Sequence, residues 1–309
     1  MDLKKIKPLY WIYNLLHYKQ LQHNQQAYKK YNIHKPLFGT ISSKDFPDKE
    51  SRAWLDTNES ATVAPQKDSF KSFDETVQQK IKEWSTSGYI ILPNHFSAAQ
   101  CNAVNKEIDT LLDNKKLKFE NGNKIMFANK KSEMVKQLTT NESLKTLLDF
   151  LLDKKVVPFQ TINFITGSQQ RAHSDSIHMT TYPLGYLIAV WIALEDVDTS
   201  NGPLFYYPGS HKLPYLLNED FNEGETVLSL GNKEYKDYED VLEELVTKNN
   251  YERKEFHAKK GDVFIWHANL VHGGSKVLIP GATRKSMVIH YYANDVIKYH
   301  EITERPSLM

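Results

Sequence analysis

The sequence predicts a mainly β chain with flanking helices, built on a double-stranded β-helix (jelly-roll, cupin-like) core. Three observations carry this. Segments rich in β-branched and aromatic residues crowd the chain from residue 156 onward. Gly and Pro turns separate them, as in NGPLFYYPGSH (201–211). Most helical spacings fall ahead of that point, which sets helices outside a β core.

Taken in chain order, residues 1–76 read as a helical and loop extension. Ile6, Leu9, Tyr13 and Leu16 recur at helical spacing, so residues 4–30 contain an amphipathic helix. It either packs on the main domain or lies against a membrane surface or partner. The stretch 41–68 is polar, with Pro47 and Pro65, and reads as a linker. The main domain, 77–309, opens with a helix over 75–86 that Gly88 stops, then a strand in YIILP (89–93). Ser97-Ala-Ala-Gln100 has capping-box spacing and starts a helix that runs to about 112. A further helix covers 141–152. Strands follow in VVPFQTINFI (156–165), YLIAVWIALEDV (186–197), the 201–211 block, GDVFIWHANLVHGG (261–274) and RKSMVIHYYA (284–293). The unbroken apolar run of 186–197 marks a strand buried on both faces. Residues 217–255 are charged and helical from Lys236 to Lys248, an insertion between barrel strands that serves as a surface helix or a lid.

Composition narrows the chemistry. A formal net charge of +1 over 309 residues gives no field to hold nucleic acid or an anionic membrane. Cys101 is the one cysteine, so an internal disulfide and a cysteine-built metal site within one chain are excluded. Any metal must use His, Asp or Glu. The N-terminal apolar stretch is broken by Tyr10, Tyr13, Asn14 and His17 and has no small-residue cleavage site after it. No run approaches the roughly 18 apolar residues a membrane span needs. The expectation is a soluble, cytoplasmic protein whose partner is a small molecule.

His173-Ser174-Asp175 follows a strand and a Gly-Ser-Gln-Gln turn. On extended backbone, residues i and i+2 share a face, so an imidazole and a carboxylate converge. Two His and one carboxylate on one face of an octahedron suit non-haem Fe(II) and leave positions open for co-substrate and O₂. Alone the motif is weak: with 12 histidines, a His-x-Asp arises about once by chance. A third ligand should come from another strand, and GDVFIWHANLVHGGS offers His267 and His272, which have opposite parity. Arg284 alternates with Ser286 on the next strand. A guanidinium fork beside a hydroxyl is how a site would hold the far carboxylate of 2-oxoglutarate.

With these pieces assembled, the chain resembles the phytanoyl-CoA dioxygenase family of iron- and 2-oxoglutarate-dependent oxygenases. The matching pieces are GYIILPNHFS (88–97), HSD (173–175), VWIALEDVDTSNGPLFYYPGSHK (190–212), GDVFIWHANLVHGGS (261–275) and Arg284. The resemblance implies that His173, Asp175 and His272 ligate Fe(II) and that Arg284 pairs with 2-oxoglutarate. It implies that Trp191 lines the co-substrate pocket and that Ser275 or Ser286 donates to the same carboxylate. The segment between His272 and Arg284 is about one residue longer than the family's, which leaves the serine open. The implied reaction is hydroxylation of a small organic substrate, with O₂ consumed and succinate and CO₂ released. Related halogenases carry a small residue in place of Asp175, so the Asp points to oxidation. Desaturation or epimerisation by the same class, and a catalytically silent ligand-binding jelly roll, are the alternatives.

Overall fold

The apolar run predicted around 186–197 forms the middle of the largest sheet. In the computed structural model, the described residues are 5–46, 48, 51–221, 224–232 and 234–309. The first residue of the expected 4–30 helical stretch, Pro47, Lys49 and Glu50 of the linker and three positions of the 217–255 insertion lie outside them. Among the described residues the strands are β1 (Tyr89–Leu92), β2 (Phe119–Glu120), β3 (Lys124–Met126), β4 (Val156–Phe164), β5 (Thr180–Tyr182), β6 (Leu187–Ala193), β7 (Leu204–Tyr206), β8 (Lys254–Phe256), β9 (Val263–His267), β10 (His272–Gly274), β11 (Ser286–Ala293), β12 (Ile297–His300) and β13 (Arg305–Pro306).

The major sheet has the order β1-β9-β6-β11-β4-β3-β2, and every pairing is antiparallel. A second sheet, β10-β7-β8, faces it. Alternation along β6 feeds two cores. Ala189, Trp191 and Ala193 pack between the sheets with Leu204, Tyr206, Phe256 and Phe264. Ile188, Val190 and Ile192 pack outward against helices carrying Trp84, Ile108 and Leu148. That two-sided burial is why β6 reads as an unbroken apolar run. The helices behind it, Glu75–Ser87, Ala98–Asp113 and Glu142–Leu152, match their predicted spans. The Ser97–Gln100 capping box is formed, and Gly88 ends its helix at φ 76°.

Three expectations change. The stretch 261–274 is not one strand. Leu270 N–H donates to His267 O at 2.8 Å and Asn269 N–H to His267 Nδ1 at 3.0 Å, and the resulting turn sends β9 and β10 into different sheets. Second, the polar 41–68 stretch is packed: Ile41, Phe46, Ala53, Leu55 and Ala64 are buried, with Ile41 and Phe46 lying against Tyr182, Ile297 and Tyr299. Ser42, Ser43 and Ser60 are buried beside them, so a sparse set of apolar residues and three serines anchors a stretch whose composition is polar. Third, the helix Lys7–Leu16 carries its apolar stripe outward. Leu9, Tyr13 and Leu16 are exposed, whereas Lys7 and Asn14 are buried. The inward face is held by polar contacts: Lys7 Nζ pairs with Glu225 at 2.6 Å and Glu304 at 2.7 Å, and Asn14 donates to Phe38 O. No helix among the described residues is long and apolar enough to cross a membrane.

Candidate functional site

A single backbone bridge brings the sequence-distant candidate ligands together. His173 and His272 pair directly across it, each N–H donating to the other's carbonyl at 2.9 Å. Ser174 is extended, and Asp175 then opens a short 3₁₀ turn, Asp175–Ile177. One ligand atom from each of His173, Asp175 and His272 lies within 4.8 Å of the others, and all three residues are buried. This grouping could hold a metal ion; His267 lies outside it. Its Nδ1 accepts from Asn269, so Nε2–H donates to Asp56 Oδ1 at 2.8 Å, a structural bond.

The surroundings prepare each donor. His173 Nδ1–H donates to Arg171 O at 2.8 Å and His272 Nδ1–H to Leu270 O at 3.0 Å. Both bonds fix the tautomer that leaves Nε2 with a free lone pair. Trp266 Nε1–H donates to Asp175 Oδ2 at 2.8 Å, and His290 Nε2 lies 3.3 Å from the same oxygen. Oδ1, 4.0 Å from His272 Nε2, is left for a cation. Burial pushes His173 down to about 3 and lowers His272 as well, so both imidazoles are held neutral, the form a metal ion requires. Burial opposes ionisation of Asp175, but the combined pull of His290, His272 and His173 holds its carboxyl below the ordinary range. Two neutral imidazoles and one carboxylate on one side fit a divalent first-row ion with open positions.

These groups line a cavity of about 710 Å³, within the range of small-molecule sites. Arg284 enters it between the rings of Trp191 and Phe164, its guanidinium carbon 5.7 Å from each centroid. The side chain is buried, Nε has no hydrogen-bond partner among the described residues, and burial pulls its pKa down to about 10. Ser286 Oγ, two residues on, is also buried and unpartnered. Ser275 differs: its hydroxyl accepts from Arg253 Nη2 and donates to Glu255 Oε1, both at 2.6 Å. Gly274 has no room for a side chain, because a Cβ there would sit 2.3 Å from Ser168 Oγ.

Gln160, His178 and His290 line the cavity, whereas Asn163 faces away and is buried without a partner. Lys124, Tyr235, His300 and Arg305 also line it, and no motif marks them in the sequence. They come from separate segments that only the fold gathers. The helix Tyr235–Lys248 is more than a solvated surface helix. Tyr238 Oη accepts from Ser174 N–H at 3.0 Å, and Arg171 pairs with Glu239, Asp240 and Glu243. The insertion thus packs directly on the His173–Asp175 loop.

Buried neutral histidines make stability fall on acidification. Burial pushes both His173 and His211 down to about 3 from an ordinary value near 6.5. The unfolded chain takes up their protons below about 6.5 while the folded chain refuses them until about 3. Stability is therefore full above pH 6.5 and is lost progressively below it, at about 1.4 kcal/mol per pH unit for each group. The melting temperature of the metal-free protein should fall steadily from pH 7 to pH 5; a flat profile contradicts this.

The geometry has counterparts among known proteins. The family model for phytanoyl-CoA dioxygenase matches residues 84–285, about two thirds of the chain. The peroxisomal phytanoyl-CoA dioxygenase of Bos taurus is 29% identical over 124 residues, covering 40% of this chain and 34% of the relative. The phytanoyl-CoA dioxygenase domain-containing protein 1 of Danio rerio is 44% identical over 45 residues, 15% of this chain and 16% of that protein. These matches span about a third or less of the length of the curated relatives. Two solved structures share the fold. The non-haem α-ketoglutarate-dependent carbocyclase SnoK from nogalamycin biosynthesis has a TM-score of 0.59 at 15% identity, covering 78% of this chain and 90% of that one. EctD from S. alaskensis, with bound Fe, has a TM-score of 0.56 at 21% identity, covering 82% and 87%. The jelly-roll core and the resemblance carried by HSD, NGPLFYYPGSH and Arg284 thus lead to one place: this chain belongs to the phytanoyl-CoA dioxygenase family.

Proposed function

We propose that the protein is an Fe(II)- and 2-oxoglutarate-dependent dioxygenase that hydroxylates a small organic substrate. His173, Asp175 and His272 hold the iron, and Arg284 with Ser286 receives the distal carboxylate of 2-oxoglutarate. The observation that carries this reading is Arg284: a buried guanidinium with an unpartnered Nε, in the same cavity as three convergent metal donors. Among the described residues only the charge of Glu195 reaches it and none forms an ion pair with it; a buried charge so weakly compensated is costly, and a dicarboxylate bound to the metal would supply a partner. Ser286 is favoured over Ser275 because its hydroxyl is free, while that of Ser275 is already shared by Arg253 and Glu255. Trp191 walls the co-substrate beside Arg284.

When bound, iron and 2-oxoglutarate together supply the oxidising power, with O₂ consumed and succinate and CO₂ released. The chain's own part is orientation and exclusion of water. Trp266 and His290 fix the Asp175 carboxylate, and the carbonyls of Arg171 and Leu270 fix the two imidazoles. Asp175 fills the place that a halide would need, which favours oxygen insertion. In this reading the catalytic unit is 77–309 with its 217–255 insertion, and the 1–76 extension helps close the cavity through Tyr13 and Asn14.

The test is direct. 2-Oxoglutarate titrated anaerobically into the Fe(II)-loaded protein should change its visible absorption, and admission of O₂ should release succinate. Absence of both would leave the silent ligand-binding reading in its place.

A further inference from the structure

We propose that the substrate carries an oxyanionic end group on an apolar body, and that Arg305 and His178 receive that end group. This rests on reading Arg284 as the anchor of 2-oxoglutarate.

The cavity lining has an excess of cations. Lys124, Arg284 and Arg305 line it, and Asp175 is the one carboxylate among the described lining residues. That carboxylate is directed to the metal position. One bound dicarboxylate accounts for the Arg284 end. Lys124 lies between the two ends: it pairs in register with Phe164, whose ring lies beside Arg284, and its charge also reaches His178. Arg305 is separate. It lies on β13, its guanidinium carbon 4.8 Å from the ring centroid of Tyr10, with Nε–H donating to Thr303 Oγ1 at 3.3 Å. No carboxylate among the described residues pairs with it.

A chain of hydrogen bonds turns His178 into a donor at the same end. Thr303 N–H donates to His300 Nδ1 at 3.3 Å, so the hydrogen of a neutral His300 sits on Nε2. That Nε2–H faces His178 Nδ1 at 3.4 Å, which makes Nδ1 the acceptor. The remaining hydrogen of His178 is then on Nε2, for which no described partner exists. Tyr235 lies against the His178 ring at 4.6 Å, and its hydroxyl, near Gln170, is buried without a well-formed hydrogen bond. A cation and two N–H or O–H donors without acceptors suit a carboxylate or a phosphate. Met126, Phe127, Phe159, Met179 and Leu308 supply apolar wall for the body. His300 and Arg305 lie beyond residue 285, where the family match ends, while His178 and Tyr235 lie within it.

The experiment uses the full chain loaded with Zn(II) and saturating 2-oxoglutarate, so that the Arg284 end is filled. Octanoate, octyl phosphate and octanamide are titrated by calorimetry. At least one of the two anions should bind tenfold or more tighter than the amide; the tighter one identifies carboxylate or phosphate. The preference should shrink to under threefold in Arg305→Gln and persist in Arg305→Lys, which keeps the charge and controls for folding. Equal affinity of anions and amide, no binding of either anion, or an undiminished preference in Arg305→Gln overturns the proposal. 2-Oxoglutarate binding measured in the same wild-type protein reports on the triad and Arg284. Its loss with the anion preference intact would remove the proposed function and not this site.

Discussion

Asp175→Ala is expected to lower metal affinity by more than about 100-fold and to abolish succinate formation. The estimate starts from groups one step further out, whose removal typically costs 10–100-fold in affinity or activity. In the proposed reading Asp175 is a direct donor and the one anionic ligand among the three. Its removal leaves two neutral imidazoles facing a divalent cation, with no carboxylate to offset the charge. The same logic ranks a milder variant. Trp266→Phe keeps an aromatic ring against His272, 4.6 Å away, but deletes the N–H that holds Asp175 Oδ2. It should fall in the 10–100-fold window, with turnover reduced and not lost. Equilibrium dialysis with Mn(II) and succinate assays with Fe(II) measure both. Wild-type metal affinity in Asp175→Ala would remove the carboxylate from the ligand set.

The elements nearest this site differ in how much the sequence revealed, for physical reasons. The strand at 186–197 was legible because burial on both faces leaves an apolar run that no loop carries. Helix 98–113 was legible because its capping box is a local contact, formed within four residues. The 261–274 stretch misled because its turn depends on the side chain of His267 accepting from a backbone amide, which periodicity does not encode. The parity contrast between His267 and His272 therefore compares residues of two strands, not two faces of one. The Lys7–Leu16 helix has a legible stripe but not a legible direction. Ion pairs from Lys7 to Glu225 and Glu304, more than 200 residues away, turn its polar side inward. Within the site, HSD and Arg284 have fixed spacing to neighbouring strands and could be found. Lys124, Tyr235, His300 and Arg305 come from the short strand β3, an insertion and the C-terminal segment, so only tertiary packing brings them to one cavity.

Arg284→Met is expected to move two measurements in opposite directions. In the free protein the guanidinium is buried between Trp191 and Phe164, and its lowered pKa, about 10 against 12.5, records the cost of keeping it charged there. That shift corresponds to something on the order of 3 kcal/mol. Methionine is of similar length, carries no charge and packs well against aromatic rings. The metal-free variant should therefore melt higher than wild type, because replacing a buried ionic group by a well-packed apolar one often stabilises a fold. Binding runs the other way. The distal carboxylate of 2-oxoglutarate would meet a thioether in place of a charged donor, and truncating one partner of a buried charge pair costs about 2–5 kcal/mol. The dissociation constant for 2-oxoglutarate should rise by roughly 30-fold to several thousand-fold, while metal affinity, assigned in the proposed reading to His173, Asp175 and His272, should hold. Thermal melting, anaerobic titration and metal dialysis on one preparation separate the three. A variant that melts lower and binds 2-oxoglutarate normally would mean that Arg284 serves the core and that another cation holds the co-substrate. A higher melting temperature with lost binding is the signature of a charge that the fold carries at a cost because its ligand requires it.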